Sequence, residues 1–123
     1  MPGRRYLLTS WLVRAMIPEH TIGTYTLWAP DAPIYIGRSD TCLRRRLIEH
    51  TATWAPDTRF TFDVSRTAQD AFAMECSLFH ALGDSTSNVE HPPRASRSDP
   101  ACPFCRSTVT AILDNRLTQG MNQ

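Results

Sequence analysis

The residue order predicts an α+β domain: a small three-stranded mixed sheet flanked by helices, with one further helix at each end of the chain. Two β-favouring runs lie on either side of a proline-containing turn, an alternating aromatic run follows later, and helical spacing of apolar residues fills the intervals. At 123 residues the chain is expected to be a single domain over 1–123, able to bury a little under ~70% of the surface its unfolded form exposes. Hydrophobic residues at 41% and charged residues at 20% match an ordinary globular protein and exclude general disorder.

From the N-terminus, basic residues precede an apolar stretch. Arg14 interrupts it and no small-residue cleavage site follows, which argues against a signal peptide. Leu8, Trp11, Leu12, Ala15 and Met16 fall at helical spacing, so an amphipathic helix ended by Pro18 is expected. Thr21 to Trp28 and Pro33 to Gly37 then form a hairpin across Ala29–Pro33. A helix capped by Ser39, Asp40 or Thr41 runs to about Thr51. Phe60, Phe62 and Val64 alternate with polar neighbours as a half-buried strand requires. Thr67 and Asp70 open a capping box, and Gly83 supplies the stop of a helix from about Ala68 to Leu82. Asp84 to Pro100 lacks periodicity and reads as loop, followed by a last helix from about Ser107 to Leu117.

The net charge of +1 decides little, but all thirteen basic residues are arginine. Guanidinium groups suit phosphate, although a coding bias explains the same preference. No run reaches the ~20 apolar residues that span a bilayer, so a cytoplasmic protein without membrane association is expected. Its four cysteines then read as thiols or metal ligands rather than disulfides.

Two side chains stand out from their patterns. In the helix after the hairpin, Arg46 and His50 share a face with Leu43 and Leu47, whereas Arg44, Arg45 and Glu49 project elsewhere. A guanidinium on that face meets an anion, borders a cleft or snorkels to solvent. In the later helix, Glu75 sits in the middle of an arc made by Ala68, Ala71, Phe72, Phe79 and Leu82. An unpaired carboxylate there would cost several kcal/mol, so an arginine partner, with Arg46 the candidate, or a metal ion is expected.

Gly23-Thr24-Tyr25 and Tyr35-Ile36-Gly37, each on a strand and followed by the basic helix Leu43 to His50, resemble the GIY-YIG nuclease family over residues 21–90. The first signature departs from the family at Thr24; the second is intact. The resemblance implies Tyr25, Tyr35, Arg46, His50, Glu75 and Asn88 as the catalytic set. Arg46 lies one residue further from Tyr35 than in the commonest pattern, with Arg45 the alternative. It further implies hydrolysis of DNA phosphodiesters to 5′-phosphate and 3′-hydroxyl ends, with RNA open as a substrate. Glu75 would hold Mg²⁺ or Mn²⁺, Arg46 would neutralise phosphate charge, and Tyr25, with a lowered pKa, would orient or deprotonate water. Tyr35 and His50 would bond phosphate or Tyr25, and Asn88 would fix local backbone. Arg38, Arg44 and Arg45 are expected nucleic-acid contacts.

Segment 91–123 carries Cys102-Pro103-Phe104-Cys105. Too little chain follows for a glutaredoxin-like fold, so the sharper reading is half of a Zn²⁺ site, C-x2-C being standard ligand spacing. His91 is the first choice of partner, with Cys76 and His80 also available; two unligated thiols are the alternative. A non-catalytic nucleic-acid-binding module with a small zinc element is the competing function.

Overall fold

The computed structural model describes residues 4–88, 91–94, 96 and 101–102. The elements run in the order β1 (Tyr6–Leu7), α1 (Ser10–Met16), β2 (Ile22–Trp28), β3 (Pro33–Ser39), α2 (Leu43–His50), β4 (Arg59–Ser65) and α3 (Ala68–Leu82), closed by one 3-10 turn at Gly83–Ser85. Cys105 and the expected last helix lie outside the described residues.

The sheet corrects the expectation of three mixed strands. It has four, ordered β1-β4-β2-β3, and every neighbouring pair is antiparallel. The fourth comes from the chain start, where Tyr6 and Leu7 pair with Phe60 and Arg59. Two residues are too few for an alternation pattern to register in a sequence. They also shorten the leading helix, which begins only at Thr9, whose side chain accepts from the Leu12 amide as N-cap. Its buried face is also one position out of phase with the expected one. Val13 and Ile17 are sealed in the core while Trp11 is 68% exposed.

Alternation along the strands splits the side chains between two faces. Tyr25 stands opposite Gly37 and Phe62, and Leu27 opposite Tyr35 and Phe60. On this face Tyr25, Leu27 and Phe60 join Leu8, Val13, Ile17, Leu43 and Leu47 in the main core, under α1 and α2. Each fully buried aliphatic there contributes roughly 1.5–3 kcal/mol. The opposite face presents Thr24, Thr26, Ile36 and Arg38, and α3 covers it. Val64, expected half-buried, shares the face of Phe60 and Phe62 but lies 63% exposed near the end of β4.

α3 matches the expected bounds and cap, with Thr67 Oγ1 accepting from the Asp70 amide. α2 differs at its start. Its N-cap is Cys42, and Ser39 Oγ instead accepts from the Thr41 and Cys42 amides in the turn before it. β3 is a sheet edge, and the chain after α3 returns to cover it. Ser87 N donates to the Ile34 carbonyl at 2.8 Å, and the Asn88 carboxamide bonds both backbone groups of Ile36, each at 2.8 Å. Unpaired edge groups are satisfied in this way without a further strand. Among the described residues no helix is long and apolar enough to cross a membrane.

Candidate functional site

A cleft of about 270 Å³ follows the outer edge of β3, bordered by Tyr35, Gly37, Arg46 and Glu75. It adjoins a second hollow of about 350 Å³, bordered by Tyr35 and Glu75 again and by Asn88 and His91. Because β3 is an edge strand, residues of both its faces reach this groove. Tyr35 and Gly37 come from the face toward α2, and Glu75 from α3 on the other side.

Glu75 is 7% exposed, and its partner is not the expected Arg46. Arg38 Nη1 donates to Glu75 Oε1 at 2.7 Å, while Arg38 Nε donates to Asp40 Oδ1 at 2.9 Å. The spacing along β3 explains the choice. Arg38 alternates with Gly37 and so projects beneath α3, where Glu75 occupies the middle of the buried arc. Burial pushes the Glu75 carboxyl above its usual range, and Arg38 acts against that shift. Burial disfavours charge on Arg38, but Asp40 and Glu75 outweigh it and hold the guanidinium protonated. Arg38, expected as a nucleic-acid contact, thus has a side chain only 9% exposed and engaged with two carboxylates.

Arg46 lies at the cleft rim. Its side chain is 50% exposed, with Glu49 at 3.8 Å. Leu43 and Leu47 anchor α2 in the core, and the long stem of Arg46 carries its charge outward from the same helix. Arg44 and Arg45 do not join the cleft. They line a separate hollow beside Arg14 and Cys42, where Arg44 is 3.7 Å from Glu19 and Arg45 is 3.9 Å from Glu49.

Tyr25 lies beneath the cleft floor, 1% exposed. Gly37 is required above it, since a β-carbon at Gly37 would fall inside the Tyr25 phenol. The Tyr25 hydroxyl is 2.6 Å from His50 Nε2, and the Trp54 indole N–H donates to His50 Nδ1 at 2.9 Å. Tyr35 packs on the same group, its ring 5.3 Å from His50 and 5.8 Å from Trp54. Burial first and Tyr35 second raise the Tyr25 pKa well above its ordinary range, with Arg46 opposing. The net direction is opposite to the lowering expected for this tyrosine, toward which Arg46 contributes. His50 is shifted down, by burial and then by Arg46.

Thr24, the departure from the first signature, is fully buried, and its hydroxyl oxygen has no hydrogen-bond partner among the described residues.

Behind the cleft, Cys76, His91 and Cys102 bring three ligand atoms within 4.8 Å of one another, a group that could hold a metal ion. Cys76, expected at the border of the polar face of α3, is completely buried. Burial, then the adjacent Cys102, keeps its thiol strongly protonated.

Trp54, Asp40 and Arg38 hold structural positions at the site that the sequence expectations do not include. For Arg38 a signal existed: period-two alternation assigns it to the α3 face, the face on which Glu75 needs a cation. Trp54 sits in an irregular connection where no periodicity applies. Comparison with protein-family models, curated proteins and solved structures gives no match.

Proposed function

We propose that the chain is a divalent-metal-dependent endonuclease of the GIY-YIG type, hydrolysing DNA phosphodiesters to 5′-phosphate and 3′-hydroxyl ends. The observation that supports this most is that one groove is lined by both the half-exposed Arg46 guanidinium and the buried carboxylate of Glu75, together with Tyr35. Such a groove offers one wall to phosphate and the other to a cation.

The donor chemistry fits Mg²⁺ or Mn²⁺. Glu75 and Asp40 present hard oxygens on the cleft, and together they share the single guanidinium of Arg38, which leaves one negative charge uncompensated. When bound, the ion would polarise the phosphate and stabilise charge on the leaving oxygen. Arg38 holds Glu75 in place from behind. Arg46 binds and neutralises the phosphate from the open side, a role for which a permanently charged fork is suited. Tyr35 forms the wall along which water and phosphate align. Tyr25 and His50 support that wall from below, and Asn88 secures the backbone of Ile36 between Tyr35 and Gly37. Nucleic acid approaches along the edge of β3, with DNA the expected substrate.

One observation favours a second reading, a non-catalytic nucleic-acid-binding module. Tyr25 is sealed under Gly37 with its proton tightly held, so a direct role as base requires the floor to open.

Conversion of supercoiled plasmid to nicked and linear forms with Mg²⁺ or Mn²⁺ separates the two. The nuclease reading expects metal-dependent cutting by the wild type, abolished in Glu75→Gln and Arg46→Ala. A folded wild type that shifts DNA in a gel yet never cuts it establishes the binding module instead.

A further inference from the structure

We propose that Cys76, His91 and Cys102 bind one Zn²⁺ ion, forming a structural centre separate from the cleft. The three donors come from the middle of α3 and from the chain that follows it. Their ligand atoms fall within 4.8 Å of one another. Ligands on one tetrahedral zinc are roughly 3.5–3.8 Å apart, so about 1 Å of closure is all that metal binding requires.

His91 carries the second, independent observation. Its Nδ1 is 2.8 Å from the Pro92 carbonyl oxygen. A carbonyl only accepts, so Nδ1 bears the hydrogen and Nε2 carries the lone pair. That Nε2 is buried and has no hydrogen-bond partner among the described residues. A buried acceptor left unpaired costs about 1–3 kcal/mol. Metal-bound histidines characteristically donate their other ring N–H to a carbonyl, and the bond fixes the tautomer that coordinates. Aromatic edges complete the setting, with the Phe79 ring 5.4 Å and the Phe72 ring 6.5 Å from His91.

His80, one turn after Cys76 on α3, lies outside this group but contacts one member of it, its Nε2 being 3.6 Å from Cys102 Sγ. Two thiols with an imidazole nitrogen suit Zn²⁺ rather than the hard cations of the cleft.

The centre has a mechanical consequence. Among the described residues the apolar cluster joining the returning segment to α3 comprises only Phe72, Cys76 and Cys102. So small a core holds a strap weakly, and a metal clamp is the usual remedy. That strap carries Asn88 and Pro93, which border the two hollows, and Glu75 is the neighbour of Cys76 on α3.

The test is metal content rather than DNA cutting, so it stands whether or not the chain is a nuclease. Wild type purified from zinc-containing medium should hold one zinc per chain by elemental analysis. After exchange for Co²⁺ it should show the visible bands of a tetrahedral site with thiolate charge transfer from at least two cysteines. Cys76→Ser, Cys102→Ser and His91→Ala should each bind zinc at least ~10-fold more weakly, while Cys42→Ser keeps it. A metal-free folded wild type whose Co²⁺ form lacks thiolate charge transfer overturns the proposal. So does a Cys76–Cys102 disulfide in the purified protein, or zinc retained by both serine variants. The wild-type spectrum decides the matter even where a variant fails to fold.

Discussion

The Trp54 indole donates its N–H to Nδ1 of His50 at 2.9 Å, and this bond decides which way the contact between His50 and Tyr25 runs. An indole N–H only donates, so Nδ1 is the unprotonated ring nitrogen and the histidine proton sits on Nε2. At 2.6 Å that proton is given to the Tyr25 oxygen. His50 therefore cannot take the Tyr25 proton through Nε2. It can instead stabilise the oxygen once that proton has gone to another acceptor. Trp54→Phe keeps an aromatic ring in the stack but frees the tautomer. DNA cutting should fall by roughly tenfold, less than the ~10²–10⁴-fold typical of losing an acid or base outright. Nitrogen NMR of His50 should then show both tautomers. Unchanged cutting with a single Nε2–H tautomer would sink the assignment.

Acidification should strain the same bond. Protonated His50 carries hydrogens on both nitrogens and must expel the Trp54 N–H, while burial and Arg46 already hold its pKa below the ordinary 6.5. The unfolded chain takes up this proton near 6.5 and the native chain only at lower pH. Stability is thus fully present above that value and is lost as pH falls below it. Urea midpoints measured from about pH 7 to about pH 5 should drop more steeply for wild type than for His50→Gln. Parallel curves would remove His50 as the cause.

Arg38 and Glu75 are 9% and 10% exposed at their side chains, which makes their bond expensive to break from one side. Arg38→Met strands a buried carboxylate and should cost about 3–5 kcal/mol. Glu75→Gln keeps an acceptor for Arg38, which also retains Asp40, and should cost much less. The order of the two denaturation midpoints checks this; a Glu75→Gln chain less stable than Arg38→Met contradicts it.

Thr24 is a site where stability can be raised. Its hydroxyl is buried without a partner among the described residues, and valine has nearly the same shape. Thr24→Val should stabilise the fold by about 1 kcal/mol, the lower end of the cost of an unsatisfied buried hydroxyl. Thermal melting should rise by a few degrees. A lower melting temperature would mean that the hydroxyl has a role in the folded chain.

Local chemistry accounts for what the chain reveals when read in order. Thr67 and Asp70 cap α3 where the capping box predicts, the proline-containing turn closes the β2–β3 hairpin, and Glu75 is recognisable as a carboxylate on an apolar arc because helical periodicity involves only its neighbours. What required the folded molecule is everything that joins distant segments. β1 is two residues long and exists only because Phe60 and Arg59 offer it a partner. Glu75 needed a cation, but the choice of Arg38 over Arg46 followed from which face of an edge strand α3 covers. Trp54 lies in a connection without periodicity, and its hold on His50 depends on where α2 ends against the sheet. His91 and Cys102 meet Cys76 only in the folded chain, where Asn88 binds the residues after α3 to Ile36 of β3. Periodicity specifies the direction of a side chain within its own element; the partner it finds there is set by how the elements pack.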